Sequence, residues 1–345
     1  MNHIERFYAT VERKPVDRQA SWLGLPDKKA YGKLFEHFKV SNMEELKRKI
    51  DDDIYPVELP YHSPTSNAIY AAFNFAKNTH GDPDERTLTA PGFFEDYEDP
   101  EKVNDFDWPD PEKYISPEEC AKIVNDAPND RAIMGVLWSA HFQDTCSAFG
   151  METALVKMMT EPEMYQAVDD KIVNFYLKAN EIFYEATKGK LHAVLIGNDM
   201  GSQCGLMLSP KLIREFVIPG AKKLIAQAKS YGLKVLYHSC GSIFDVIPDL
   251  IEAGVDVVHP IQALAKDMEP DKLKANFGDK VSFCGGVDAQ NLLVNGTPDQ
   301  IAAKVIELRK IFSTGLIVSP SHEAILPDVN PANIEALFTA SRQQL

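Results

Sequence analysis

His238 and Cys240 close the apolar run 234–238 (KVLYH) with one serine between them. Two residues apart at a strand end, they point to the same side. One imidazole and one thiolate are good ligands for zinc. A third donor can come from a neighbouring strand end, and either His322 or Cys284 fills that role. Three protein ligands and an open fourth position describe a catalytic zinc site, able to hold a thiol as thiolate or to polarise an oxygen. The competing reading is a core histidine beside an inert buried cysteine, because an isolated His-x-Cys carries no metal specificity.

Other polar residues fall at the ends of apolar runs in the same way. Asp199 and Gln203 follow 193–198 (AVLIGN), His259 and Gln262 follow VDVV, and Asp288 follows Cys284 and a Gly285-Gly286 pair. Ser321, His322 and Glu323 follow 316–319 (LIVS). Asp199 reads as a general acid/base or a substrate-binding carboxylate. It can instead cap the helix expected near 209 or tie down the loop after it. His322 is the second candidate for catalysis. Gln203, His259, Gln262 and Asp288 are candidates for substrate contact.

These positions matter only if the runs are strands that end on one face. From residue 131 onward short apolar runs alternate with helix-length amphipathic stretches: 132–138, 193–198, 234–238, 255–259, 281–284 and 316–319. Alternation of this kind gives parallel βαβ units, and runs apolar throughout are strands covered on both faces. Two weaker runs, 20–25 and 54–59, bring the expected number to eight. The fold class is therefore α/β, a (β/α)8 TIM barrel, whose active site lies at the carboxyl ends of its strands. Residues 1–345 form a single domain with an irregular amino-terminal elaboration. Segment 60–120, rich in Pro, Asp, Tyr and Phe, lies over the barrel mouth. No GxGxxG or P-loop pattern occurs.

Composition narrows the classes further. A net charge of -15 with no long Lys/Arg run lacks the footprint of a nucleic-acid binder. No stretch approaches the roughly 20 apolar residues of a membrane span. Five cysteines in a chain of this size do not form a disulfide framework. A cytoplasmic location is the expectation.

The stretches GNDMGSQCGLMLSP (197–210), YHSCGSIFDVIPDLIEAGVDVVHPIQ (237–262), FCGGVDAQ (283–290) and SPSHEAILPDVNPANIEAL (319–337) resemble the uroporphyrinogen decarboxylase superfamily. The resemblance implies a (β/α)8 barrel and one of two chemistries. The decarboxylase branch removes carboxyl groups from a tetrapyrrole without a metal. The methyltransferase branch works with a corrinoid and uses zinc held by a His-x-Cys pair and a distant cysteine. His238-Ser239-Cys240 matches the methyltransferase pair. The last strand reads Pro320-Ser321-His322 where that branch has PGC, and Pro327-Asp328 is more like the decarboxylases. The Arg-rich RxxGRY segment that receives tetrapyrrole carboxylates is missing, since the corresponding ASWLGL has no arginine, and a polycarboxylate needs fixed cations.

The resemblance thus implies a zinc-dependent methyltransferase acting on a small methyl donor or acceptor with a corrinoid (cobalamin) carried by a partner protein, and a homodimer. The alternatives are a metal-free carboxy-lyase, in which Asp199 protonates a carbanion and His322 contacts a carboxylate, and a non-catalytic barrel that binds a corrinoid or tetrapyrrole.

Overall fold

A computed structural model of the chain describes residues 1–77 and 87–344. Seven strands, β1 (Ile54–Glu58), β2 (Ala132–Trp138), β3 (Ala193–Gly197), β4 (Lys234–His238), β5 (Val257–Ile261), β6 (Ser282–Val287) and β7 (Leu316–Pro320), form one sheet in chain order. Every neighbouring pair in it is parallel. Helices fill the crossovers, the longest being Pro162–Ala186. A two-residue antiparallel ribbon, Gly201–Ser202 with Gly205–Leu206, follows β3.

Alternate residues of the strands build an interior layer. Ile54, Met134, Leu195, Leu236, Val257, Cys284 and Ile317, one from each strand, belong to one buried apolar cluster. First and last strands can share a cluster only if the sheet curls around it. The intervening residues, such as Ile133, Val194 and Val235, pack outward against the helices. Both strand faces are therefore dry, which is why the runs read as uninterrupted apolar sequence. The helix His3–Val11 plugs the amino-terminal end of this interior with Phe7 and Val11. An Asn2/Glu5 capping box fixes where it starts.

The expected strand at 20–25 is a single parallel bridge, Ser21 to Val318. Residues 20–22 span the gap between β7 and β1: Trp22 N–H donates to Val318 O at 3.0 Å, and Asp53 N–H donates to Ser21 O at 2.9 Å. A ladder does not propagate because carboxylates take the backbone donors. Asp53 Oδ2 accepts Ser21 N–H at 2.8 Å, and Asp52 Oδ2 accepts Leu23 N–H at 3.0 Å.

Two strands end later than their apolar runs suggest. Residues 255–259 were expected to be a strand, but Val255 N–H still bonds the preceding helix through Leu250 O, and β5 runs on to Ile261. β6 continues beyond Cys284 through Gly285 and Gly286. A Cβ on Gly285 would lie 2.7 Å from Ile261 N, so this glycine permits close strand approach, whereas one on Gly286 would meet the Leu308 side chain at 3.0 Å. Both shifts move residues from the strand end into the strand interior.

Among its described residues, segment 60–120 carries short helices, Pro100–Asp105, Pro111–Tyr114 and Pro117–Asn125 besides the turn Ile69–Ala71. Its order comes from aromatic packing on the long helix, with Phe73 4.7 Å from Phe175 and Phe94 stacked on Trp108 at 5.9 Å. Among the described residues no helix is long and apolar enough to cross a membrane.

Candidate metal centre

His238 ends β4, and the register pairs it with Gly197 of β3 on one side and His259 of β5 on the other. The approach to β3 is so close that a Cβ on Gly197 would sit 2.0 Å from His238 O. Beyond the strand, Gly241 takes φ +80°, and a Cβ there would meet Gly201 C at 2.5 Å. The turn is pinned from both sides. Asn198 N–H donates to His238 O (3.0 Å), Ser239 N–H to His259 O (2.8 Å) and Met200 N–H to Ser239 Oγ (3.0 Å).

This frame brings Asp199, His238 and Cys240 together, with one ligand atom of each within 4.8 Å of the others. His238 Nε2 lies 3.3 Å from Asp199 Oδ1 and 3.4 Å from Cys240 Sγ. Asp199 Oδ1 also accepts Cys240 N–H at 2.8 Å, so Asp199 braces this turn and does not cap the helix near 209. A second set shares His238 from below. His259 Nδ1 is 3.1 Å and Glu323 Oε2 3.4 Å from His238 Nδ1.

The charges follow from the packing. Burial disfavours the ionised carboxyl of Asp199, but its bonds to His238 and the Cys240 amide win and bring it to about 2. Burial also pushes the Cys240 thiol up, and hydrogen bonds from His238 and His322 overcome this and lower it. His238 is held well above its ordinary value, because Glu323, Asp199 and Cys240 together outweigh its desolvation. His259 goes well below, through burial first and the charges of His238 and His322 after it.

The remaining sequence candidates occupy different places. His322 stands beside Cys240, and its Nδ1 accepts Ala324 N–H at 3.0 Å. Cys284 does not reach the cluster. It lies in the interior layer of β6, fully buried, and desolvation drives its thiol far above the usual range. The reason is the longer β6: Cys284 is mid-strand, not at the mouth. His259 is likewise mid-strand and fully buried under His238, with its ring 5.3 Å from Trp22, so it offers no surface to a substrate. Asp288 spends its carboxylate on the amides of Gln290, Asn291 and Leu292 at 3.0, 3.0 and 2.9 Å, starting the short helix Leu292–Asn295. Gln262 Oε1 accepts from Gly241 N–H (2.9 Å) and Gln203 Nε2 (3.1 Å), bracing the turn. Sequence reasoning missed Glu323 as a partner of His238. Its signal, a carboxylate directly after His322 at a strand end, was present.

Two cavities flank the cluster. One of about 610 Å³ is walled by Tyr31, Tyr55, Tyr70 and Trp138 and reaches Glu323. The Trp138 ring is 5.8 Å from the His238 ring. Tyr70 brings segment 60–120 to this cavity. The other, about 280 Å³, is lined by Gln262, Gln290, His322 and Leu326. Ala324 lines both.

Known proteins resemble this chain in sequence and in fold. A segment of 153 residues is 26% identical to the methylated-thiol–coenzyme M methyltransferase of Methanosarcina mazei, covering 44% of this chain and 38% of that one. The uroporphyrinogen decarboxylase of Chlorobium limicola is 30% identical over 146 residues, 40% of this chain and 39% of its own length. The matched segments thus span well under half of these relatives. A solved methyltransferase from Methanosarcina mazei shares the fold at a TM-score of 0.69 and 16% identity, over 99% of this chain and 98% of its own. The sequence profile of the family described as uroporphyrinogen decarboxylase (URO-D) matches residues 85–344. With well over half of its length matched, the chain belongs to the URO-D family.

Proposed function

We propose that this protein is a zinc-dependent methyltransferase that passes a methyl group to or from a corrinoid carried by a partner protein. The observation that carries this reading is the convergence of Cys240 Sγ and Asp199 Oδ1 on His238 Nε2 at the strand ends. The donor set suits zinc: a neutral nitrogen, a thiolate and a carboxylate balance a dication. Donor separations of 3.3 and 3.4 Å are close to the edges of a tetrahedron with bonds of about 2.0–2.3 Å. In this reading residues 20–22 complete an eight-position barrel whose mouth holds the site. Bound zinc supplies a Lewis acid that draws charge from the heteroatom bearing or receiving the methyl group.

The chain's own groups prepare that site. Asp199 remains ionised at neutral pH, and Cys240 ionises more readily than a free thiol. His322, with Nδ1 occupied by the Ala324 amide, keeps its ring proton on Nε2, where it can be given to a leaving heteroatom. The aromatic cavity beside Trp138 takes the apolar part of the methyl compound and keeps water from it. No arginine lines that cavity; its two lysines are Lys28 and Lys47, and Lys47 is paired with Asp52 at 2.5 Å. This disfavours a tetrapyrrole polycarboxylate.

The test is elemental analysis of purified protein together with methyl transfer from simple methyl thioethers, ethers and amines to cob(I)alamin. Stoichiometric zinc, lost in Cys240→Ala and required for methylcobalamin formation, is the expected result. Methyl transfer that survives complete zinc removal would sink the reading.

A further inference from the structure

His238 presents its two nitrogens to two different groups. Nε2 faces Asp199 and Cys240, and Nδ1 faces His259 and Glu323. A neutral imidazole can offer Nε2 as a donor only when its proton rests on Nδ1, and the acceptor of that proton decides the tautomer. The surroundings of Nδ1 therefore govern whether the upper cluster can bind a metal at all.

Two buried groups face Nδ1, the Glu323 carboxylate and the His259 ring. Glu323 Oε2 lies 3.4 Å away on a side chain 10% exposed, and it makes no hydrogen bond among the described residues. His259 Nδ1 lies at 3.1 Å on a fully buried ring. A buried carboxylate oxygen without a donor is costly, so one should be within reach. Glu323 Oε2 is also 3.5 Å from His322 Nδ1, but that nitrogen already accepts the Ala324 amide and has no proton to give. The proton available to Glu323 is the one on His238 Nδ1. Its backbone is clamped for this purpose from the amino-terminal segment: Leu25 N–H donates to Glu323 O at 2.7 Å, and a Cβ on Gly24 would lie 2.2 Å from that oxygen.

We propose that Glu323, with His259 beside it, receives the Nδ1–H of His238 and so leaves the Nε2 lone pair free for a metal shared with Cys240 and Asp199. Both are positioning residues that act through His238. The inference rests on the metal reading above, and it differs from a lower cation site built from His238, His259 and Glu323 as direct ligands.

The experiment titrates the full-length, metal-stripped protein with Co(II) and follows both affinity and the thiolate-to-cobalt absorption band. Glu323→Leu is expected to weaken Co(II) binding by on the order of 10–100-fold while the band keeps its position. Glu323→Gln, which retains an acceptor oxygen, should recover most of the loss. Affinity in Glu323→Leu within about threefold of wild type overturns the proposal, taking the 10–100-fold range as the expectation. A ligand-field spectrum that loses a ligand in the same variant also overturns it, because Glu323 would then be coordinating. Long-range proton–nitrogen spectra of the His238 ring in metal-free protein at alkaline pH read the tautomer without any metal. Nδ1–H in wild type and a shift toward Nε2–H in Glu323→Leu support the proposal, and Nε2–H in wild type refutes it. A wild-type protein that binds no cobalt but shows Nδ1–H would remove the metal reading and leave the positioning role intact.

Discussion

Gly197→Ala tests whether the site is fixed by backbone contact between β3 and β4. The new Cβ would lie 2.0 Å from His238 O and 2.6 Å from His238 N, where ordinary contact begins at 3.4 Å. Relief requires a movement of 3.4 − 2.0 = 1.4 Å, and the atoms to be moved are backbone. Metal–ligand distances are held within about ±0.2 Å, several times less than that movement. Forced overpacking costs roughly 1–3 kcal/mol, which at about 2–4 °C per kcal/mol lowers Tm by about 2–12 °C. Calorimetry and zinc competition with a chromophoric chelator should show both effects, with zinc affinity reduced at least on the order of tenfold, the lower bound for disturbed ligand orientation. Gly32→Ala is the control. It lies in the helix Tyr31–Phe38 with nothing within 4 Å of the added Cβ, so it should be neutral or stabilising. A Gly197→Ala protein with unchanged Tm and unchanged zinc affinity would refute the idea that strand approach sets the position of His238.

Cys240→Ala should abolish zinc binding, whereas Cys284→Ala should retain zinc and lose stability, since its sulfur is in the interior layer; elemental analysis and a melt on each variant decide it. Of the five thiols, Cys204 and Cys240 should be the ones that react with iodoacetamide in the native protein, and zinc should protect Cys240 alone, as peptide mass spectrometry will show. Asp144, pushed up to about 7 by burial despite its bond from Tyr176, binds its proton more tightly folded than unfolded, so stability should fall as pH rises from the ordinary carboxyl range to about 7. Asp144→Asn should flatten that fall, which is on the order of 4 kcal/mol at 1.36 kcal/mol per pKa unit, in urea melts across pH 4–8. Tyr70→Ala should raise KM for the methyl donor with a smaller change in kcat, because Tyr70 lines the cavity and not the His238 cluster.

Much of this site was legible in one dimension. Parallel strands with both faces covered leave long apolar runs, so β2, β3, β4 and β7 could be located, and with them the side on which His238, Cys240, Asp199 and His322 emerge. The two-residue spacing of His238 and Cys240 fixes their common side whatever surrounds them. Local letters could not say where a strand ends once an apolar run passes through Pro260 or a Gly-Gly pair, because there the ladder to the neighbouring strand decides. That sent Cys284 and His259 into the interior. The roles of Asp199 and Glu323 were also beyond reach, since each is defined by a contact across at least 39 residues of sequence, 3.3 Å to His238 Nε2 and 3.4 Å to His238 Nδ1. Sequence thus determined that His238, Cys240, Asp199 and His322 stand at strand ends, because their runs stop where periodicity and burial stop. The tertiary structure decided which of them share a histidine and through which nitrogen, because sheet register and the amino-terminal clamp on Glu323 are set by chain segments far away.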